Sequence, residues 1–167
     1  FPYTTLFRSD LPEGVAADAG LEYFSIGEGE PGAPDATKDM KNVVPVLQEI
    51  ISINPAVKIM ASPWSAPAWM KTSNRISGAG RLRLGEYVGN GYRYQDTIDY
   101  VYAQYFVKFI AAYAKLGIRI SSVTMQNEPS NGCPWPITVW TPEELTKWGS
   151  EYLRPAFDRS FPDVEIY

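Results

Sequence analysis

The sequence predicts an α/β fold with a parallel sheet, part of an eightfold (β/α)8 TIM barrel. Three observations carry that expectation. Short β-branched runs alternate with helical patterns, the long loops follow the strands, and Asn127-Glu128-Pro129 closes one of those strands. No glycine-rich phosphate loop follows any strand, so an open nucleotide-type sheet loses ground. A complete barrel needs about 250 residues, and the chain has 167.

Leu21 to Ile26 has the pattern of a short strand and leads into a polar loop, Gly27 to Asp35. A helix follows with Pro45 in its first turn, where a missing N–H costs little. Its stripe is Leu47, Ile50 and Ile51, joined by Val43 or Val44, and Asn54-Pro55 ends it. Val57 to Ala61 is a strand of buried type that runs into Ser62-Pro63-Trp64. The segment from Ser62 to about Gln95 is a long loop, and loops of that length in compact domains are usually functional. Asp96 is expected to cap a helix reaching Leu116, with Tyr102, Phe106, Phe109, Ile110 and Tyr113 packing and Gly117 as its C-cap. Ile118 to Gln126 is the next strand. Asn-Glu-Pro stops it, because proline cannot continue a central strand and pushes the residue before it into an extended conformation. Thr141-Pro142-Glu143-Glu144 is a capping box for a helix to about Leu153, where Pro155 kinks or ends it. Val164 to Tyr167 starts another strand.

Phe1 to Ser9 (FPYTTLFRS) matches the translation of a common sequencing adapter, so it is set aside as a scar, with residues 10–167 as the incomplete barrel domain. The native start then lies elsewhere, and the lack of a signal peptide says nothing about secretion. Hydrophobic residues are 45% and aromatics 14%, a globular composition. The chain carries 15 basic and 19 acidic residues, and setting Arg8 aside makes it one unit more acidic than its net −4. No basic cluster exceeds Arg81-Leu82-Arg83, which argues against nucleic acid and anionic membranes as partners. No run approaches transmembrane length. A single Cys133 forbids an internal disulfide. The absence of histidine removes the usual zinc, Ser-His and Cys-His chemistries, and no metal or cofactor is expected. Carboxylates, amides and tryptophans remain.

Three strand ends, Tyr23-Phe24-Ser25, Ser62-Pro63-Trp64 and Gln126-Asn127-Glu128, are expected at one face, where barrel enzymes keep their chemistry. Ala61-Ser62-Pro63-Trp64-Ser65-Ala66-Pro67-Ala68-Trp69-Met70-Lys71-Thr72 closely resembles the signature after the third strand of glycoside hydrolase family 30. That family includes lysosomal glucosylceramidase and bacterial β-glycosidases. Tyr105-Phe106-Val107-Lys108-Phe109 and Val123-Thr124-Met125-Gln126-Asn127-Glu128-Pro129 resemble the same family in the same order. The Asn-Glu-Pro element alone is shared across a clan of barrel glycosidases. The resemblance covers roughly Leu21 to Tyr167, which would be about strands 2–5 of the barrel.

The resemblance implies a retaining β-glycosidase with a carbohydrate or glycoconjugate substrate and Glu128 as general acid/base. Such a glutamate must hold its proton near neutral pH, which partial burial and a second carboxylate would provide. By the same resemblance Asn127 bonds the sugar 2-hydroxyl, the alternative being a local turn-forming amide. Trp64 would line the sugar pocket, or else pack in the core, and Trp69 faces the same alternatives. Trp135 and Trp140 either build the leaving-group site or pack their own loop, and Trp148 belongs to the core. Tyr23 falls where the family usually has an aspartate, so either the alignment slips there or the substrate differs. The nucleophile of the family comes from the seventh strand, beyond Tyr167, and Glu28, Glu30 and Asp35 sit on too flexible a loop to replace it. The chain alone is therefore expected to be inactive. Competing expectations are another retaining glycosidase of the clan, an endo-glucanase or xylanase, and a barrel that binds carbohydrate without cleaving it. Secretion would rest on family analogy alone.

Overall fold

The computed structural model describes residues 2–3, 11–12, 14–26 and 39–167. Four short parallel strands form its sheet in the order β1-β2-β3-β4: Pro2–Tyr3, Ile59–Ala61, Ile120–Val123 and Glu165–Ile166. Helices α1 (Val44–Ile53), α2 (Ile98–Lys115), α3 (Pro142–Trp148) and α4 (Arg154–Ser160) complete the alternation. Ile59 pairs with Ile120 and Ala61 with Val123, while Val123 pairs in turn with Ile166. Pro2 and Tyr3, within the segment set aside above, pair with Met60 and Ala61.

Helix α2 is the packing centre, as its sequence foretells. Tyr102, Phe106, Phe109, Ile110 and Tyr113 are all buried, joined by Val101 and Tyr105. Its start lies one residue later than expected. Thr97 is the cap, its hydroxyl accepting the Tyr100 N–H, while Asp96 closes the preceding 3-10 turn by accepting from the Arg93 backbone and guanidinium. The other end follows the glycine rule. Gly117 adopts φ +77 and donates to Ala114, and Ile118 donates to Tyr113 at 3.1 Å, a Schellman closure. That closure takes Ile118 out of the strand, so β3 is shorter than the apolar run.

The expected strand Leu21 to Ile26 does not form. Asp18 accepts the Glu22 and Tyr23 N–H groups on its two carboxylate oxygens, each at 2.9 Å, which removes them from any ladder. Leu21 takes φ +51, and the segment turns twice. Its apolar residues dock on α2 instead, with the Phe24 ring edge-on to Tyr105 at 4.9 Å. Tyr23 is thus exposed on a turn and ends no strand.

Thr141 and Glu144 form the expected capping box of α3. Pro155 does not end that helix. A π-helical turn, Gly149–Leu153, carries it straight into α4, with Arg154 donating to the Gly149 carbonyl five residues back. The wider turn shifts the bonding register, and Pro155 then falls in the first turn of α4, where it forfeits no bond. A Cβ at Gly149 would collide with Met125 Sδ, so this turn rests directly on the end of β3.

Candidate active site

The loops after β2 and β3 leave the same end of the parallel sheet and are fastened to each other from their first residues. Ser62 and Thr124 share a hydroxyl hydrogen bond of 2.6 Å. The Asn127 N–H donates to the Pro63 carbonyl at 2.9 Å. The Trp64 carbonyl accepts twice, from Gln126 Nε2 at 2.7 Å and from the Thr138 N–H at 3.0 Å. Thr138 returns the contact, its hydroxyl accepting from the Ala66 N–H at 2.8 Å. These bonds bring Trp64, Asn127 and Glu128 together at one end of the sheet, as the sequence implied for them.

Trp64 is half-buried, and its indole N–H is buried without a partner among the described residues. The Asn127 carbonyl accepts from Gln126 Nε2 at 2.9 Å, and its side-chain amide is half-buried. Glu128 departs from two expectations. Its φ is +47, left-handed rather than extended. A non-glycine residue held there costs about 1–2 kcal/mol, and such strain collects at functional sites. The cause is the next turn. Asn131 donates its N–H to the Glu128 carbonyl at 3.0 Å and its side-chain amide to Oε2 at 2.8 Å, while the Trp140 N–H anchors the Pro129 carbonyl at 2.8 Å. Glu128 is also exposed, so the partial burial expected around it is not formed by the described residues.

The tryptophans divide. Trp140 is only 3% exposed and lies against Tyr102 and Trp148 with centroids 6.3 and 5.4 Å away, so it belongs to the core and not to a leaving-group site. Trp148 is core as expected, its N–H donating to the Asp99 carbonyl at 2.9 Å. Trp69 packs half-buried against the core. Trp135 stands 47% exposed on the loop after Glu128. Glu28, Glu30 and Asp35 lie outside the described residues. Among the described residues no group of three His, Cys, Asp or Glu is placed to hold a metal, and no helix is long and apolar enough to cross a membrane.

Two side chains that knit the site were given no task by the sequence reading. Gln126 bridges the Trp64 and Asn127 carbonyls, yet a glutamine at a strand end has no signature of that duty. Lys71 is fully buried and donates to Ser65 Oγ, the Ile76 carbonyl and the Ile137 carbonyl at 3.0, 2.9 and 2.7 Å. Burial pushes its ammonium down from 10.5 to about 8.

Residues 32–161, across all of this geometry, match the glycosyl hydrolase family 30 TIM-barrel domain. The chain belongs to that family. As a family 30 chain it is 34% identical over 154 residues to lysosomal acid glucosylceramidase of Mus musculus, covering 89% of this chain and 27% of that one. It is 37% identical over 158 residues to endo-1,6-beta-D-glucanase BGN16.3 of Trichoderma harzianum, covering 92% and 29%. Its structure resembles the crystal structure of SrfJ from Salmonella typhimurium, with a TM-score of 0.72 and 28% identity over 90% of this chain and 29% of that one. This family 30 chain therefore spans under a third of the length of these relatives and is part of a TIM barrel.

Proposed function

We propose that this chain is part of a retaining β-glycosidase in which Glu128 is the general acid/base. The observation that carries the reading is the fastening of Asn127 and Gln126 to the Pro63-Trp64 segment, which brings a carboxylate, an amide and an indole to one end of the sheet. An indole offers a sugar an apolar face for its C–H bonds. The side-chain amide of Asn127 bonds the 2-hydroxyl, a contact that strengthens as the ring flattens toward an oxocarbenium ion.

In the first step a carboxylate from outside these 167 residues attacks the anomeric carbon. The glycosidic C–O bond breaks, its electron pair stays on the leaving oxygen, and Glu128 delivers its proton there. In the second step the Glu128 carboxylate takes a proton from water as that water displaces the enzyme carboxylate. The two carboxyl groups must then stand about 5–5.5 Å apart. Glu128 acquires its burial from the rest of the barrel, and the 167-residue chain by itself turns over no substrate. The names of two relatives, a glucosylceramidase and an endo-1,6-beta-D-glucanase, support β-glucosides as the substrate class.

The test uses the full-length protein that carries this chain. Glu128→Gln should slow hydrolysis of aryl β-glucosides with poor leaving groups by about 10²–10⁴-fold, and glycosylation by activated ones far less, since those need little proton assistance. Equal losses for both, or no loss, would count against the acid/base assignment. A barrel that only binds carbohydrate would show saturable binding with no turnover in the parent protein. An endo-acting glucanase would cleave polymeric β-1,6-glucan internally and leave a glucosyl lipid intact.

A further inference from the structure

Among the described residues Lys71 is a charge without a counter-charge. Its side chain is 0% exposed, and among the described residues no carboxylate pairs with it. An ammonium has three N–H donors and no acceptor, and all three find partners here on three separate segments. Ser65 follows Trp64 directly. Ile76 lies in the middle of the loop after β2. Ile137 lies in the loop after Glu128 and precedes Thr138, which itself bonds the Trp64 carbonyl and the Ala66 N–H. The lysine thus sits beneath the Trp64 segment and draws both loops onto it.

Burying an unpaired ammonium costs several kcal/mol, and an apolar residue of similar volume commonly gives equal or better stability. What the ammonium supplies and a methyl group cannot is direction, because its three bonds specify where three loop segments stand. We propose that Lys71 is a positioning residue, which holds the loop after Glu128 against the Trp64 segment and so sets the sugar-binding indole relative to the acid/base. The inference rests on the glycosidase reading above and adds to it a residue that touches no substrate.

The experiment compares Lys71→Met, Ser65→Ala and Glu128→Gln in the full-length protein, well below the unfolding temperature. Lys71→Met fills the volume but takes the ammonium donor from two carbonyls, of which Ile76 keeps the Ser65 hydroxyl and Ile137 keeps none among the described residues. It should lower kcat/KM for aryl β-glucosides by about 10–100-fold, with a rise in KM as the indole loses its place. Ser65→Ala, which removes one of the three acceptors of Lys71 together with the hydroxyl's own bonds to the Ala66 and Ile76 carbonyls, should lower it about 3–10-fold. Hydrogen exchange should quicken in residues 62–67 and 134–140 while α2 keeps its protection. A Lys71→Met protein with a lower melting point but kcat/KM within about twofold of the parent would overturn the proposal. If Lys71→Met does not fold, Ser65→Ala decides on the same twofold criterion. Unchanged exchange in both loops overturns the proposal whatever the activity. A full rate in Glu128→Gln would instead sink the glycosidase reading, and the exchange data would still decide whether Lys71 holds the loops.

Discussion

The two strand-end loops that meet at the site are built on opposite terms. The loop after β2 is drawn inward. Ser62, Ser65, Ala66 and Lys71 are buried, and Trp64 is bonded through its carbonyl from two directions. The loop after β3 is turned outward at its key residue, with Glu128 exposed, left-handed and bonded, among the described residues, to Asn131 alone. The difference separates two requirements of one site. On the reading proposed above, a sugar platform works by being fixed in advance, so it is worth surrounding with polar crosslinks inside the chain, whereas a proton donor works through its environment, which the rest of the barrel would supply.

The contrast can be broken most strongly through Lys71. Its folded pKa of about 8 lies below the 10.5 of an ordinary lysine. Below pH 8 the folded and unfolded states both hold the proton. Between 8 and 10.5 the unfolded state holds it and the folded state does not, so raising the pH favours the fold. A Lys71→Met protein has no such group. Its stability deficit relative to the parent should therefore widen by about 3 kcal/mol over that window, as read from urea midpoints at successive pH values. A flat difference would show that the two carbonyls and the hydroxyl keep the ammonium charged despite its burial.

The next test cuts a single crosslink. Thr138→Val keeps the shape but strands the buried Ala66 N–H, and should cost about 1–3 kcal/mol in chemical denaturation. No measurable change would mean that the platform is held by packing alone. The smallest effect belongs to the other loop. Asn131→Ala removes an exposed bond to the Glu128 carboxylate and should alter stability by no more than about 0.5 kcal/mol in chemical denaturation. A large loss of stability there would erase the distinction between the two loops.

What the sequence makes legible is what local rules encode. The packing face of α2, the Gly117 closure and the Thr141 capping box each depend on residues within a few positions of one another, so pattern and turn chemistry suffice. Leu21 to Ile26 fails for the same reason in reverse. Its apolar spacing fits a strand, but the carboxylate of Asp18, a few residues upstream, captures the amides a strand would use. Trp64, Asn127 and Glu128 were readable as a group through motif and order, yet the left-handed backbone of Glu128 was not, because proline argues for extension and the Asn131 turn overrides it. Lys71 is the least legible of all. Nothing local marks a lysine for burial, and its acceptors come from residues 65, 76 and 137, which only the folded chain brings together. Trp140 and Trp135 share a loop and differ in fate because α2 and α3 present an aromatic wall to one of them.

Gly149 gives the outer layer a hold on the inner one. Met125, the neighbour of Gln126 at the end of β3, occupies the space that a side chain at position 149 would need. The clearance between the helical layer and the end of the strand that leads to Glu128 is thus gauged at this point by one missing methyl group. Buried between the two layers, Gly149 works as a depth stop for the strand beneath it, so the placing of that strand end is partly machined from the helical side of the wall.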